Sequence, residues 1–154
     1  MSILLTGGTV YIASHTAVRL TNARHKVVLY DNLVNSNASV VSQLEKITGV
    51  MLPFVEGDIR DTDLLASTLT SYGVEAVIHF AGLKAVGESV ENPLEYYDNN
   101  VGGTISLLNA MTAVGIKRLV FSSSATVYGD PQYLPIDESH PEARPTPTAA
   151  PSSK

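Results

Sequence analysis

The sequence predicts an α/β fold, a doubly wound parallel sheet, and three observations carry that reading. Five short apolar runs alternate with stretches of helical periodicity. The chain opens on a strand that enters a helix through glycines, Thr6-Gly-Gly8, as in domains that set a ligand's phosphates at a helix N-terminus. Asp31, Asp58, Phe80-Ala81-Gly82 and Ser122-Ser123-Ser124 all fall at the carboxyl ends of strands, where open parallel sheets bind ligands.

Each element has its own local warrant. Ile3, Leu4 and Leu5 read as a fully buried strand. Gly7 and Gly8 break it, and residues 11–23 form a helix. Residues 25–30 make the second strand and close a right-handed βαβ unit of about 30 residues. Asp31 ends that strand about 20 residues past the loop, where a carboxylate accepts hydrogen bonds from an adenosine ribose. Its charge also repels a 2′-phosphate, which favours NAD over NADP. Asn35, Ser36 and Asn37 are helix-capping types ahead of a helix over residues 40–47, with Gly49 as its stop.

Residues 53–57 read as the third strand, 63–71 as a helix stopped at Gly73, and 74–80 as the fourth strand, broken by Ala81-Gly82. Pro93 suits a first helical turn. Leu94, Tyr97, Val101, Ile105, Leu108 and Met111 then recur every three or four residues, giving one helix to about residue 113. Gly102 and Gly103 fall midway, at about 1 kcal/mol each unless something packs closely there. Residues 117–122 form the fifth strand.

Composition bounds the function classes. A chain of 154 residues is one domain's worth, and 44% hydrophobic against 16% charged residues is a globular balance. A formal net charge of −5 supplies no basic patch for nucleic acid or an anionic membrane. Without cysteine there is no disulfide framework and no thiolate metal site. No apolar run reaches the length of a membrane span, and the first five residues are too short for a signal peptide, so a cytoplasmic protein is expected. His15, His25, His79 and His140 lie on different elements and make no metal set, with His79 read as a satisfied strand histidine. Prolines 131, 135, 141, 145, 147 and 151 mark the end of the chain, and residues 141–154 are expected to be an extended tail.

Three longer strings carry more. Phe80-Ala-Gly-Leu-Lys-Ala-Val-Gly-Glu-Ser89, Pro93-Leu-Glu-Tyr-Tyr-Asp-Asn-Asn100 and Phe121-Ser-Ser-Ser-Ala-Thr-Val-Tyr-Gly-Asp130 resemble the UDP-glucose 4-epimerases of the extended short-chain dehydrogenase/reductase group. Thr6-Gly-Gly8, Tyr11-Ile12 and Ser14-His15 add to the likeness, which runs from residue 1 to about 140. It implies a Rossmann-like NAD-binding domain over residues 1–140. It also implies a C-terminally truncated chain, since family members are much longer and carry a further domain for the UDP-sugar. The family interconverts UDP-galactose and UDP-glucose in galactose metabolism. A tyrosine phenolate, activated by a lysine, takes the proton of the sugar 4-hydroxyl while hydride passes to NAD and returns to the other face.

By position, the resemblance makes Gly7, Tyr11, Ile12, Asp31, Asn32, Asp58, Ile59, Phe80, Ala81, Gly82, Lys84 and Asn99 cofactor contacts. Ser124 would bond the sugar hydroxyl, and Lys154 would be the lysine of Tyr-x-x-x-Lys. The tyrosine's own place is Ala150. The glycine loop departs as well, reading Gly7-x-x-Val10-x-x-Ala13. Ala13 is an accepted variant, whereas Val10 narrows the approach to the pyrophosphate. An overpacking penalty of roughly 1–3 kcal/mol would weaken NAD binding about 5- to 150-fold. Arg24 replaces a glycine, at a cost on the order of 1 kcal/mol if that backbone needs positive φ. The expectation is therefore an epimerase homologue without turnover, the alternatives being a weak NAD-binding module or a partner, through a homodimer or by docking, of an intact epimerase.

Overall fold

The computed structural model describes residues 1–142. The strands are β1 (Ser2–Thr6), β2 (Lys26–Asp31), β3 (Phe54–Glu56), β4 (Ala76–His79) and β5 (Leu119–Phe121). All pair parallel, in the order β3-β2-β1-β4-β5. The chain steps outward from β1 to β2 and β3, then returns to the far side of β1 for β4 and β5. That reversal puts a crevice at the carboxyl ends of β1 and β4. Residue contacts group the chain into two units, one of Met1–Gly82 with Gly103–Ser122, the other of Leu83–Gly102 with the described residues from Ser123 onward.

Alternation along β1 explains why helices cover both faces of the sheet in the first unit. Leu4, with Val28, Tyr30 and Val77, joins Leu65 and Leu69 of α3 (Thr62–Ser71) and Leu107, Ala110 and Met111 of α6 (Gly103–Ala113). Ile3 and Leu5 point the other way. With Val27 and Leu29 they meet Ala13 and Ala17 of α1 (Tyr11–Asn22) and Leu44 of α2 (Ser39–Thr48). Leu4, Leu5, Leu29, Leu65 and Leu107 are fully buried, each worth about 1.5–3 kcal/mol relative to exposure.

Helix ends follow their residues. Gly49 closes α2 in the left-handed region at φ 70. Asp61 caps α3 by accepting the Leu64 N–H at 2.9 Å. After α1, Arg24 takes φ 63, the conformation that favours glycine. At α2 the expected cap shifts. Ala38 is the residue before the helix and lends no side chain, Asn37 Oδ1 accepts the Ser39 N–H at 2.8 Å, and Ser36 turns back toward Asp31.

The single helix expected to run to residue 113 is three consecutive elements: α5 (Pro93–Tyr97), a π-helical turn (Asp98–Gly102) and α6. A further short helix unmarked by the sequence pattern, α4 (Val86–Glu91), precedes them. In the second unit, Tyr96 is buried and donates its phenol hydrogen to Glu88 Oε2 at 2.7 Å. Burial and that carboxylate push its pKa up to about 12. Among the described residues no helix is long and apolar enough to cross a membrane.

Candidate functional site

The loop from β1 into α1 is fixed by a contact that admits no side chain. Gly7 lies at φ 64, and a Cβ there would stand 2.8 Å from the Ala81 backbone nitrogen. At Gly8 a Cβ would meet the Leu29 side chain and the Leu5 carbonyl, each at 2.9 Å. The loop is thereby pressed against the end of β4 on one side and against β2 on the other. Val10 precedes α1 in extended backbone and gives it no side-chain cap. Its own side chain is half-buried against the apolar cluster on the α1 side of the sheet. The first N–H groups of α1 therefore carry the helix's positive end with no cap from its own N-cap side chain. Tyr11 and Ile12, 78% and 52% exposed, stand on that first turn, with the Tyr11 ring edge-on to His15.

Asp31, at the end of β2, is buried and tied down on both oxygens. Oδ2 accepts the Thr9 N–H at 3.1 Å, and Oδ1 accepts the Leu33 N–H at 2.9 Å and the Ser36 hydroxyl at 3.1 Å. Leu33 is held at φ 61, an unusual conformation for a leucine. The next residue pair lies one strand further out. Asn32 Nδ2 donates to Asp58 Oδ2 at 3.4 Å, and Arg60 binds Asp58 in a fork, Nη2 to Oδ2 at 2.7 Å and Nε to Oδ1 at 2.9 Å. Those bonds hold the Asp58 carboxyl down at about 2. Its backbone carbonyl takes the Tyr30 hydroxyl at 2.8 Å, and burial first, then Asp61 and Asp58, raises that phenol's pKa.

Beside them, Ile59 and Phe80 are buried and Ala81 and Gly82 half-buried. His79 is satisfied as expected, Nδ1 at 2.6 Å from Thr6 Oγ1 and Nε2 at 3.1 Å from Thr104 Oγ1. The first unit thus gathers Gly7 with Ala81, Asp31 with the loop, and Asn32 with Asp58. Lys84, Asn99 and Ser124 belong to the second unit. Lys84 is exposed there, and Asn99 Nδ2 donates to Asn100 Oδ1 at 2.9 Å. Asn100 clasps the backbone of one residue, taking the Leu83 N–H at 2.8 Å and donating to the Leu83 carbonyl at 3.0 Å. Ala150, Lys154 and all but the first two residues of the proline-rich tail lie outside the described residues.

Thr9, Ser36, Arg60 and Asn100 were not named as site residues by the sequence reading, Ser36 entering only as a helix-capping type. Arg60 had a visible signal, two residues past Asp58, where a guanidinium folds back on the carboxylate. The other three act through contacts distant in sequence or through hydroxyls read as caps.

Residues 3–152 match the NAD dependent epimerase/dehydratase family. A UDP-glucose 4-epimerase of Klebsiella pneumoniae is 54% identical over 139 residues, 90% of this chain and all of that sequence. One of Yersinia pestis is 54% identical over 146 residues, 95% of this chain and 43% of that protein. Among solved structures, the UDP-glucose-4-epimerase of Stenotrophomonas maltophila with bound NAD and formylated UDP-arabinopyranose superimposes with a TM-score of 0.95 at 47% identity. That of Bifidobacterium longum, in complex with NAD+ and UDP, gives 0.94 at 44%. Both overlaps cover 97% of this chain and 45% of the other. The chain spans less than half the length of these two structures and of the Yersinia relative.

Proposed function

The chain belongs to the NAD dependent epimerase/dehydratase family, and from that premise we propose that it is the NAD-binding part of a UDP-glucose 4-epimerase relative, without epimerase turnover of its own. The observation that carries the reading is Asp31, buried at the end of β2 and bonded to the glycine loop through the Thr9 N–H. A carboxylate has about four acceptor positions. Three are taken here, which leaves one on Oδ2 for a ribose hydroxyl, while the carboxylate's charge opposes a phosphate in the same place.

The residues fit the group. Gly7 keeps the loop clear of a side chain, the uncapped start of α1 faces its ligand with N–H groups, and Tyr11 and Ile12 stand open beside it. Asp31 and Asn32 would hold the adenosine ribose, Asp58 and Ile59 the next stretch, and Phe80, Ala81 and Gly82 the wall at the end of β4. Lys84 and Asn99 are cofactor contacts by the resemblance alone. Bound NAD supplies a hydride acceptor that returns what it takes. The chain's own part would be to orient that acceptor and to move a proton at the sugar 4-hydroxyl, with Ser124 as hydrogen-bond partner and Lys154 as the neighbouring cation.

The proton acceptor is the weak point of that scheme. Ala150 stands in the tyrosine's place, and a methyl group accepts no proton. General-base catalysis is worth about 10²–10⁴-fold, and hydride departure without proton removal would leave a protonated ketone. Calorimetric titration with NAD+ tests the binding; no heat at millimolar cofactor removes it. Conversion of UDP-galactose to UDP-glucose above the uncatalysed background removes the inactivity.

A second reading, docking on an intact relative, is favoured by Ile105 and Leu108, 53% and 43% exposed on α6. Failure to co-elute with a full-length epimerase rejects it.

A further inference from the structure

The hydrogen bonds around Asp31 have a direction that the distances alone leave open. Thr9 Oγ1 and Ser36 Oγ lie 2.7 Å apart, and either atom has a hydrogen to give. Ser36 Oγ is also 3.1 Å from Asp31 Oδ1, and an ionised carboxylate only accepts. The single Ser36 hydrogen is therefore spent on Asp31, and the Thr9 hydroxyl must be the donor to Ser36. Thr9 consequently grips both carboxylate oxygens, Oδ2 directly through its N–H and Oδ1 through the Ser36 hydroxyl. Thr9 is itself 3% exposed, so the relay is anchored in the loop and not in solvent.

We propose that Thr9 and Ser36 are positioning residues that lock the Asp31 carboxylate in one orientation and so set the choice between a dinucleotide with a free 2′-hydroxyl and one with a 2′-phosphate. A carboxylate selects against a phosphate only while it cannot turn aside. Free to rotate about its Cβ–Cγ bond, it moves its charge away from the phosphate and its open acceptor position away from the hydroxyl. Both changes lower the preference for the free hydroxyl. The relay ties three separate stretches, the glycine loop, the strand end and the segment before α2, to that one rotation.

This inference rests on the NAD reading above, and the experiment separates the two. NAD+ and NADP+ are titrated into the full chain, into Ser36→Ala and into Thr9→Val, and the ratio of their affinities is compared. Loss of one hydrogen bond to a charged group is expected to lower the ratio about tenfold in Ser36→Ala, and severing the relay one step back to lower it about threefold in Thr9→Val. In the nucleotide-free chain, amide exchange at Thr9 and Leu33 is expected to quicken in Ser36→Ala while β1 and β2 keep their protection. A ratio unmoved in both variants, or exchange unchanged at both amides, overturns the positioning role and leaves the NAD reading intact. Wild-type chain that binds neither nucleotide overturns the NAD reading and the selectivity together.

Discussion

Gly103 begins α6 where the Ile59 Cγ2 methyl occupies the space that a Cβ would need. A glycine at a helical position costs about 1 kcal/mol against alanine, and here the close packing explains it. Its neighbour Gly102 has only Asp98 Oδ1 near the place of a Cβ, at 3.5 Å. Gly103→Ala is expected to destabilise the chain by about 1–3 kcal/mol through overpacking. Gly102→Ala leaves stability unchanged or raises it by up to about 1 kcal/mol. Urea denaturation of the two variants reads the difference, and equal midpoints contradict the contact.

Arg24 follows α1 at φ 63, in the left-handed region that favours glycine. Arg24→Gly is expected to raise stability by about 1 kcal/mol, since the left-handed backbone then carries no Cβ strain. The gain is reduced by the glycine's greater freedom in the unfolded chain. A lower thermal midpoint for this variant would show that the arginine side chain compensates elsewhere.

Val10 contributes in two opposed ways. Its half-buried side chain packs on the α1-side cluster, while the likeness to the epimerases puts a glycine at this position of the loop. Val10→Gly is expected to tighten NAD+ about 5- to 150-fold and to lower stability by about 1 kcal/mol from lost burial. Paired calorimetry and urea unfolding measure both, and an unchanged affinity would mean that the valine never limited access.

Asp58 makes stability depend on acid. Its folded carboxyl is held at about 2 by Arg60, against about 3.9 for an unfolded aspartate. The depressed value means that the stabilisation is present above about pH 4 and is lost as pH falls toward 2. Asp58→Asn is expected to flatten this part of the curve of urea midpoint against pH by lowering its neutral end, and only modestly, the pair being partly exposed. A wild-type curve already flat between pH 4 and 2 would contradict the ion pair.

Much of the fold was written in local pattern. The first four strands are short runs with glycine, proline or aspartate at or near their ends, so Ile3 to Leu5 or Val77 and Ile78 announce themselves without any partner. Gly49 as a helix stop and Gly7 as a tight turn are equally local. What failed locally was decided by distant contacts. The apolar spacing from Leu94 to Met111 runs on through the π-helical turn because it does not record how many residues fill a turn. Leu94, Tyr97, Ile105 and Leu108 on that stripe are exposed, the buried side being carried by Tyr96, Leu107 and Ala110. Ser36 reads as a cap by type, yet Asp31, five residues earlier, draws it away. Asp31 itself was legible from its distance to the glycines, whereas Thr9 was not, since nothing in a threonine following two glycines says that it will face a carboxylate 22 residues on.

The clasp that Asn100 places on Leu83 gives that side chain the part of a neighbouring backbone, one donor and one acceptor facing one acceptor and one donor. Such a match is specific to the amide and vulnerable to ageing. Slow hydrolysis of asparagine to aspartate would keep the bond to the Leu83 N–H but set an anion against the Leu83 carbonyl. A change of one mass unit at that position would then undo half of the clasp while leaving the shape of the side chain intact.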